Sequence, residues 1–233
     1  LSFNAGSFLS YPLTGFSLRW YQTFFHSDEW LSSLGNSLLI APLATLLATI
    51  LGVMAAVGLV RGEFRGKSLV MAILISPMIA PVVIIAVGMF FFFARVSLLN
   101  SYFGLVLAHA LLGVPFVVIT VVAILKNYDR NLSRAAASLG ASPWMAFRKV
   151  MLPLIAPGVF SGALFAFAAS FDEVVVTLFL ASPRQRTLPI QMFAGIRENL
   201  DPTIAAAASL MVGASLILLL VMELLRRRSE RLR

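Results

Sequence analysis

The chain has 233 residues, 60% of them hydrophobic and only 12% charged, and its net charge is +8. A soluble domain is about half apolar and about a quarter charged, so this composition argues against a water-facing surface; disorder, collagen and coiled coil are excluded with it. With no cysteine there are no disulfides, thiolate metal sites or thiol nucleophiles, and the cations fall in short clusters between apolar runs rather than on one solvated, nucleic-acid-binding face.

Residues 1–35 read as an external N-terminal segment. Trp20, Tyr21, Phe24, Phe25 and Trp30 lie in it, and such rings favour the headgroup level of a bilayer; a partner surface is their other use. A bilayer core of roughly 30 Å takes about 20 apolar residues in a helix. Five stretches qualify: 36–60, 68–94, 104–125, 157–181 and 203–225. They predict an all-α, polytopic membrane helix bundle, with the transmembrane domain over 36–225. The first, third and fifth have uncharged interiors apart from Glu223 near the end of the fifth. Pro77 and Pro81 interrupt the second and Pro115 the third, which membrane helices tolerate where neighbours re-satisfy the freed carbonyls. Phe90, Phe91, Phe92 and Phe93 end the second span and are expected to face lipid or pack, with an aromatic gate as the alternative.

Basic residues set the orientation. Arg61, Arg65 and Lys67 lie in 61–67; Lys126, Arg130, Arg134, Arg148 and Lys149 in 126–156; Arg226, Arg227, Arg228, Arg231 and Arg233 in the tail. These segments lie on one side and hold 13 of the 18 cations, against Arg19, Arg95, Arg184, Arg186 and Arg197 on the other. The positive-inside rule puts the richer side in the cytoplasm, so 226–233 is a basic cytoplasmic tail and residues 1–35 are outside. A chain that opens at Leu1 on the outer side, without the basic and apolar regions of a signal peptide, is expected to be preceded by a sixth membrane helix.

The loop 126–156 reads as two short helices. The first runs from about Arg130 to Leu139 and stops at Gly140. Ser142 then caps exposed N–H groups, and Pro143 suits the first helical position. Trp144, Phe147, Val150 and Met151 recur as one apolar stripe beside Arg148 and Lys149, and Leu152-Pro153 closes the helix before the next span. Two readings of this knob stand side by side. One is a helix lying on the inner leaflet, anchored by Trp144 and the two cations. The other is a docking element for a partner's groove, where Ala135, Ala136 and Ala137 allow close approach.

The run Arg134-Ala135-Ala136-Ala137-Ser138-Leu139-Gly140, then nine residues, then Val150-Met151-Leu152-Pro153, resembles the signature loop of ABC importer permeases. That pattern is Glu-Ala-Ala, three residues, Gly, nine residues, Ile-x-Leu-Pro. Arg134 reverses the charge of the glutamate and Val150 replaces the isoleucine. Arg65-Gly66-Lys67, Ser76-Pro77, His109 with Pro115-Phe116-Val117-Val118, Ser170-Phe171-Asp172-Glu173-Val174-Val175-Val176 and Thr187-Leu188-Pro189 are similar to the spermidine/putrescine branch, most of all to its second permease subunits. The resemblance implies six helices per subunit and a second, non-identical permease subunit. It also implies two ATP-binding cassette ATPase subunits and an external substrate-binding protein, in a bacterial inner membrane. ATPase coupling would then fall to Ala135, Ala136, Gly140, Ser142, Pro143, Trp144, Phe147, Val150, Leu152 and Pro153. ATP and magnesium would be bound by the ATPase, with no cofactor in this chain.

Asp172 and Glu173 are the only acidic pair embedded in a span. Counted from Pro157 they lie about 15 residues, or roughly 22 Å, along the helix. Intramembrane charge costs at least about 2.5–3.5 kcal/mol, so it faces a cavity or a partner. Gly162, Ala166, Ala169, Glu173 and Thr177 recur as one small, polar stripe, with Asp172 about 100° around the helix and Ser170 on the opposite flank. In one reading the carboxylates, with Ser170, Phe171 and Thr177, line a substrate path and offset the dehydration of ammonium groups. In the other they make an inter-subunit hydrogen bond, or an ion pair with Arg184 or Arg186.

His109 is the only histidine inside a span and is expected to be a hydrogen-bonded packing residue; no His, Asp or Glu set with metal spacing accompanies it. An intramembrane aspartyl protease needs two membrane aspartates, and Asp172 stands alone. The Gly-x-Ser-Gly of a rhomboid-type protease and a Walker phosphate loop are both missing from the sequence, so neither catalytic residues nor ATP hydrolysis is expected. A permease for another small polar solute and a passive channel are the alternatives to a polyamine importer. Nucleic acid is not an expected partner; the lipid bilayer is.

Overall fold

In the computed structural model, which describes residues 1–6, 15–198 and 201–231, the long apolar runs are helical. Helices satisfy every backbone N–H and C=O internally, as lipid demands. The first two are α1 (Arg19–His26) and α2 (Asp28–Arg61). Next come α3 (Lys67–Ile79), α4 (Val82–Arg95) and α5 (Tyr102–Leu125). Short helices α6 (Arg130–Ser138) and α7 (Pro143–Ala146) lead through a π-helical turn, Phe147–Met151, into α8 (Leu152–Phe171). Then follow α9 (Val175–Leu180), a 3-10 turn at Pro183–Gln185, α10 (Leu188–Glu198) and α11 (Thr203–Arg231). Among the described residues the only β pairing is an isolated bridge between Asn4 and Phe16. The architecture is an all-α membrane bundle.

Among the described residues, three single helical stretches are long and apolar enough to cross a bilayer: Asp28–Arg61, Tyr102–Leu125 and Pro143–Phe171. The described apolar part of α11 is Thr203–Ile217. The side chains of Glu223 and of the 226–233 tail are not described.

The second expected span, 68–94, is not one straight helix: α3 and α4 meet at 105°. Pro81 has no N–H to continue the ladder, and proline drives the residue before it out of the helical region. Ala80 is accordingly extended, at φ −70 and ψ 144. The two halves still traverse the bundle. Met71 and Leu74 of α3 pack into the cluster holding Val122 and Leu125 at the end of α5. Ala86, Met89 and Phe93 of α4 pack with Leu105 and Ala108 at its beginning. Phe93 is thereby buried, whereas Phe90, Phe91 and Phe92 are exposed.

Helices α2, α5 and α8 form the centre. Ala44, Ala48 and Ala56 of α2, Val117, Val118 and Val121 of α5, and Ile155 and Ala166 of α8 share one buried cluster. Small residues at membrane-helix interfaces let backbones approach closely. At Gly162 the approach is extreme, because a Cβ there would sit 2.7 Å from the Val117 Cα. Gly162 and Ala166 therefore seat α8 on α5 and do not line a cavity.

The aromatic N-terminal segment also departs from expectation. Trp20, Phe24 and Trp30 are buried and do not sit at a headgroup surface. Phe24 lies 5.5 Å from the Trp30 ring, and both pack against Leu188, Ile204 and Ala207. Trp20 Nε1 donates to the Asn4 carbonyl at 2.8 Å, which satisfies the indole inside the fold. Each buried ring contributes a large apolar contact area, and α10 and α11 supply the cover; Phe25 stays exposed. Helix α2 opens at Asp28, ahead of the expected start at 36.

The basic loops share one end of the bundle. Arg61 Nη2 donates to Ser133 Oγ at 2.6 Å, and Arg130 Nη2 donates to the Val60 carbonyl at 2.8 Å. At the opposite end Asn36 Nδ2 donates to the carbonyls of Arg184 (2.9 Å) and Arg186 (2.8 Å), and Tyr102 Oη donates to Asn36 Oδ1 at 2.9 Å. Leu188 N donates to Ser37 Oγ at 2.8 Å. Polar side chains on α2 thus fix the loop that follows α9.

Candidate functional site

The fourth expected span, 157–181, breaks where its charges lie. Helix α8 ends at Phe171 and α9 begins at Val175. A β-branched run, Val174 to Thr177, follows the carboxylates, and such residues are the stiffer helix formers. Glu173 Oε1 accepts from Val176 N at 2.7 Å. This side-chain bond satisfies an N–H that a continuous helix would have used, as side chains do for the orphan N–H groups at a helix start.

Across the break sits His109. Its Nδ1 is 2.8 Å from Ser170 Oγ and its Nε2 is 2.9 Å from Thr177 Oγ1. The imidazole is 1% exposed, so it joins the last turn of α8 to α9 from the side of α5. His109 is the hydrogen-bonded packing residue expected of it, but its partners alter the reading of the proposed path. Ser170, Phe171 and Thr177 are buried. Ser170 and Thr177 point at His109, and Phe171 stacks on Phe167 at 5.3 Å. The single stripe from Gly162 to Thr177 does not exist, because the helix that would align it stops.

The two carboxylates part company as a result. Glu173 is half-buried and committed to α9. Asp172 is exposed and lines an open cleft of about 370 Å³ with Ala168 and Phe171 on one wall and Met211, Val212, Ser215 and Leu216 of α11 on the other. Among the described residues no ion pair joins either carboxylate to Arg184 or Arg186.

The 126–156 loop follows its sequence closely up to one point. Asp129 caps α6 by accepting from Asn131 N at 2.9 Å, and the chain then turns at Gly140, whose φ is +85. A residue with a Cβ avoids that conformation. Ser142 Oγ accepts from Met145 N at 3.2 Å, and Pro143 takes the first position of α7. Leu152 and Pro153 do not close the helix. The π turn makes Leu152 N donate to the Phe147 carbonyl, five residues back. That wider turn lets Pro153 enter without breaking the helix, as π-bulges do.

The knob's outer surface carries an apolar patch among exposed Arg134, Arg148 and Lys149. Trp144 is 67% exposed and Leu139 90%. Trp144 stacks on Phe147 at 5.5 Å; Phe147 and Val150 are half-buried. Ala135, Gly140, Ser142 and Pro143 are exposed, and Ala136 and Leu152 are half-buried. The sequence reading left out Leu139, although its place beside the helix-stopping Gly140 marks it as a residue that α6 cannot cover. It also left out Asn36, a polar residue in an apolar run with no local partner.

The family of binding-protein-dependent transport system inner membrane components matches residues 48–231. The chain is 35% identical over 216 residues to the spermidine/putrescine transport system permease protein PotC of Haemophilus influenzae, covering 93% of this chain and 84% of that protein. With PotC of Escherichia coli K12 the identity is 32% over 226 residues, covering 97% and 85%. Its fold is similar to that of a chain in a bacterial alginate ABC transporter crystallised with an alginate pentasaccharide-bound periplasmic protein. There the TM-score is 0.71 at 16% identity, with 89% of this chain and 82% of that chain covered.

Proposed function

This chain belongs to the family of binding-protein-dependent transport system inner membrane components, and from that premise we propose that it is the permease subunit of an ABC importer for a small organic cation of the spermidine/putrescine class. It is a multi-pass inner-membrane protein. The observation that carries the cation reading is Asp172, an exposed carboxylate at a helix break in the span, open to a cleft against α11. A fixed negative charge offsets part of the dehydration cost of an ammonium group, and intramembrane charge of this kind marks substrate pathways. PotC relatives over nearly the whole chain supply the substrate class.

The end of the bundle that carries 61–67 and 126–156 is the cytoplasmic one, by its cations, and the C-terminus lies on that side. A second permease subunit completes the path, and an external protein delivers the substrate. Two ATPase subunits, which bind ATP and magnesium, dock on the knob through Leu139, Trp144 and the small residues of α6. This chain hydrolyses nothing. It needs two conformations with different ATPase contacts, and ATP closure biases one of them. Domain 1–35 is external, 36–225 is the permease and 226–233 is a cytoplasmic tail.

The test is spermidine uptake into proteoliposomes with ATPase activity read in parallel. Asp172→Asn should lower uptake about tenfold, the equivalent of about 1.4 kcal/mol of lost charge compensation, with stimulated ATPase activity intact. Glu173→Gln keeps an oxygen for Val176 N and should stay within about threefold. Unchanged uptake in Asp172→Asn would reject the path assignment.

A further inference from the structure

At the basic end a groove of about 370 Å³ opens between α2, α3 and α5. Its walls are apolar, formed by Leu59, Val60, Met71 and Val122. Lys67, Ser68 and Lys126 complete the lining. We propose that this groove binds an anionic phospholipid of the inner leaflet. The phosphate is held by Lys67, Ser68 and Lys126, and the glycerol and upper acyl chain lie along the apolar wall. The inference rests on the orientation proposed above.

Three observations converge on it. Of the arginines nearby, Arg61 donates to Ser133 and Arg130 to the Val60 carbonyl, while Arg65 is exposed and adds to the positive charge of this end. The ammonium groups of Lys67 and Lys126 have no hydrogen bond or ion pair among the described residues; Lys67 Nζ only overlies the Phe64 ring at 5.9 Å. Asp129, the acid beside this end of α5, is engaged at Asn131 N. Two cations and a hydroxyl on one groove, with no ion pair to Glu63 or Asp129 among the described residues, therefore present positive charge to a ligand. Second, α3 starts at Gly66 with no side-chain cap, so its first N–H groups add to an anion-favouring field. Third, Leu59, Val60, Met71 and Val122 give the groove an apolar wall beside its cations, which suits a ligand with an acyl chain better than a free anion. Basic pockets between membrane helices on the cytoplasmic side bind anionic headgroups on these terms.

The test is native mass spectrometry of the assembled transporter with dioleoylphosphatidylglycerol or dioleoylphosphatidylcholine in the micelle, and inorganic phosphate as competitor. Phosphatidylglycerol adducts should predominate. Lys67→Gln and Lys126→Gln should each weaken retention about fivefold, the effect of one lysine near an anionic surface, and the double variant should bind both lipids alike. Arg95→Gln, at the far end of α4, should change nothing. Reading the single variants separately guards against misfolding of the double. Undiminished retention in both single variants, or a retained preference for phosphatidylglycerol in the double variant, overturns the site, as does full displacement of the lipid by inorganic phosphate. Labelling of Ser68→Cys with an impermeant maleimide reads orientation independently. Protection in right-side-out vesicles is expected. Labelling from outside overturns the orientation, whereas protection without any lipid preference overturns the groove alone.

Discussion

Gly140→Pro should abolish ATP-driven uptake while leaving the protein inserted and folded in the membrane. Proline holds φ near about −65°, and Gly140 sits at +85, so the turn between α6 and α7 cannot form. Nothing lies within 4 Å of a Cβ at this position; the change therefore removes the knob's shape without disturbing the core. Gly140→Ala isolates the backbone cost. An L-residue in the left-handed region costs about 1–2 kcal/mol, which is about a five- to thirtyfold shift in population, and uptake should fall within that range. Basal ATPase activity of the partner should persist in both, uncoupled from transport. Normal uptake by Gly140→Pro, with insertion confirmed, would reject the knob as the coupling element.

His109→Leu should loosen the joint between α8 and α9. Leucine fills comparable space but strands the buried Ser170 hydroxyl and leaves the buried Thr177 hydroxyl only its long, 3.4 Å bond to the Glu173 carbonyl. A buried polar group left without its partner costs about 1–3 kcal/mol. Measured side-chain hydrogen bonds between membrane helices average nearer 0.6 kcal/mol. Serine can also recover by bonding back to the carbonyl four residues earlier. A net loss of about 2 kcal/mol is expected, seen as a lower melting temperature of the purified complex. Uptake should fall because Asp172 lies two residues from the released serine. His109→Gln keeps a donor and an acceptor and should recover much of both. If His109→Leu melts with the wild type, the histidine does not hold the break.

The sequence reading succeeded where the determining interaction was local. Ser142, Pro143 and Gly140 act within a turn of their own position, and the structure has each in its expected role. It fell short where the partner lay far along the chain. His109 meets Ser170 and Thr177 across 61 and 68 residues, and no periodicity carries that information. The break at Asp172–Val174 was hidden for a related reason: the run Val174 to Leu180 is apolar enough to continue a span, and what marks the stop is the bond from Val176 N to Glu173 together with the distant His109. Pro81 flagged a disturbance, but the size of the bend depends on α4 finding its own packing against α5 and α9. Trp20, Phe24 and Trp30 were assigned to an interface because ring content is the same for a buried cluster and a headgroup belt.

Because the chain contains no cysteine, Leu139→Cys places a single thiol on the most open part of the knob. Cross-linking from that thiol in the reconstituted, uptake-competent transporter tests directly whether the knob grips a separate motor. An adduct with the ATPase subunit, in a yield that changes on adding ATP, is the predicted result. Absence of that adduct under every nucleotide condition, while ATP still drives uptake, would contradict it.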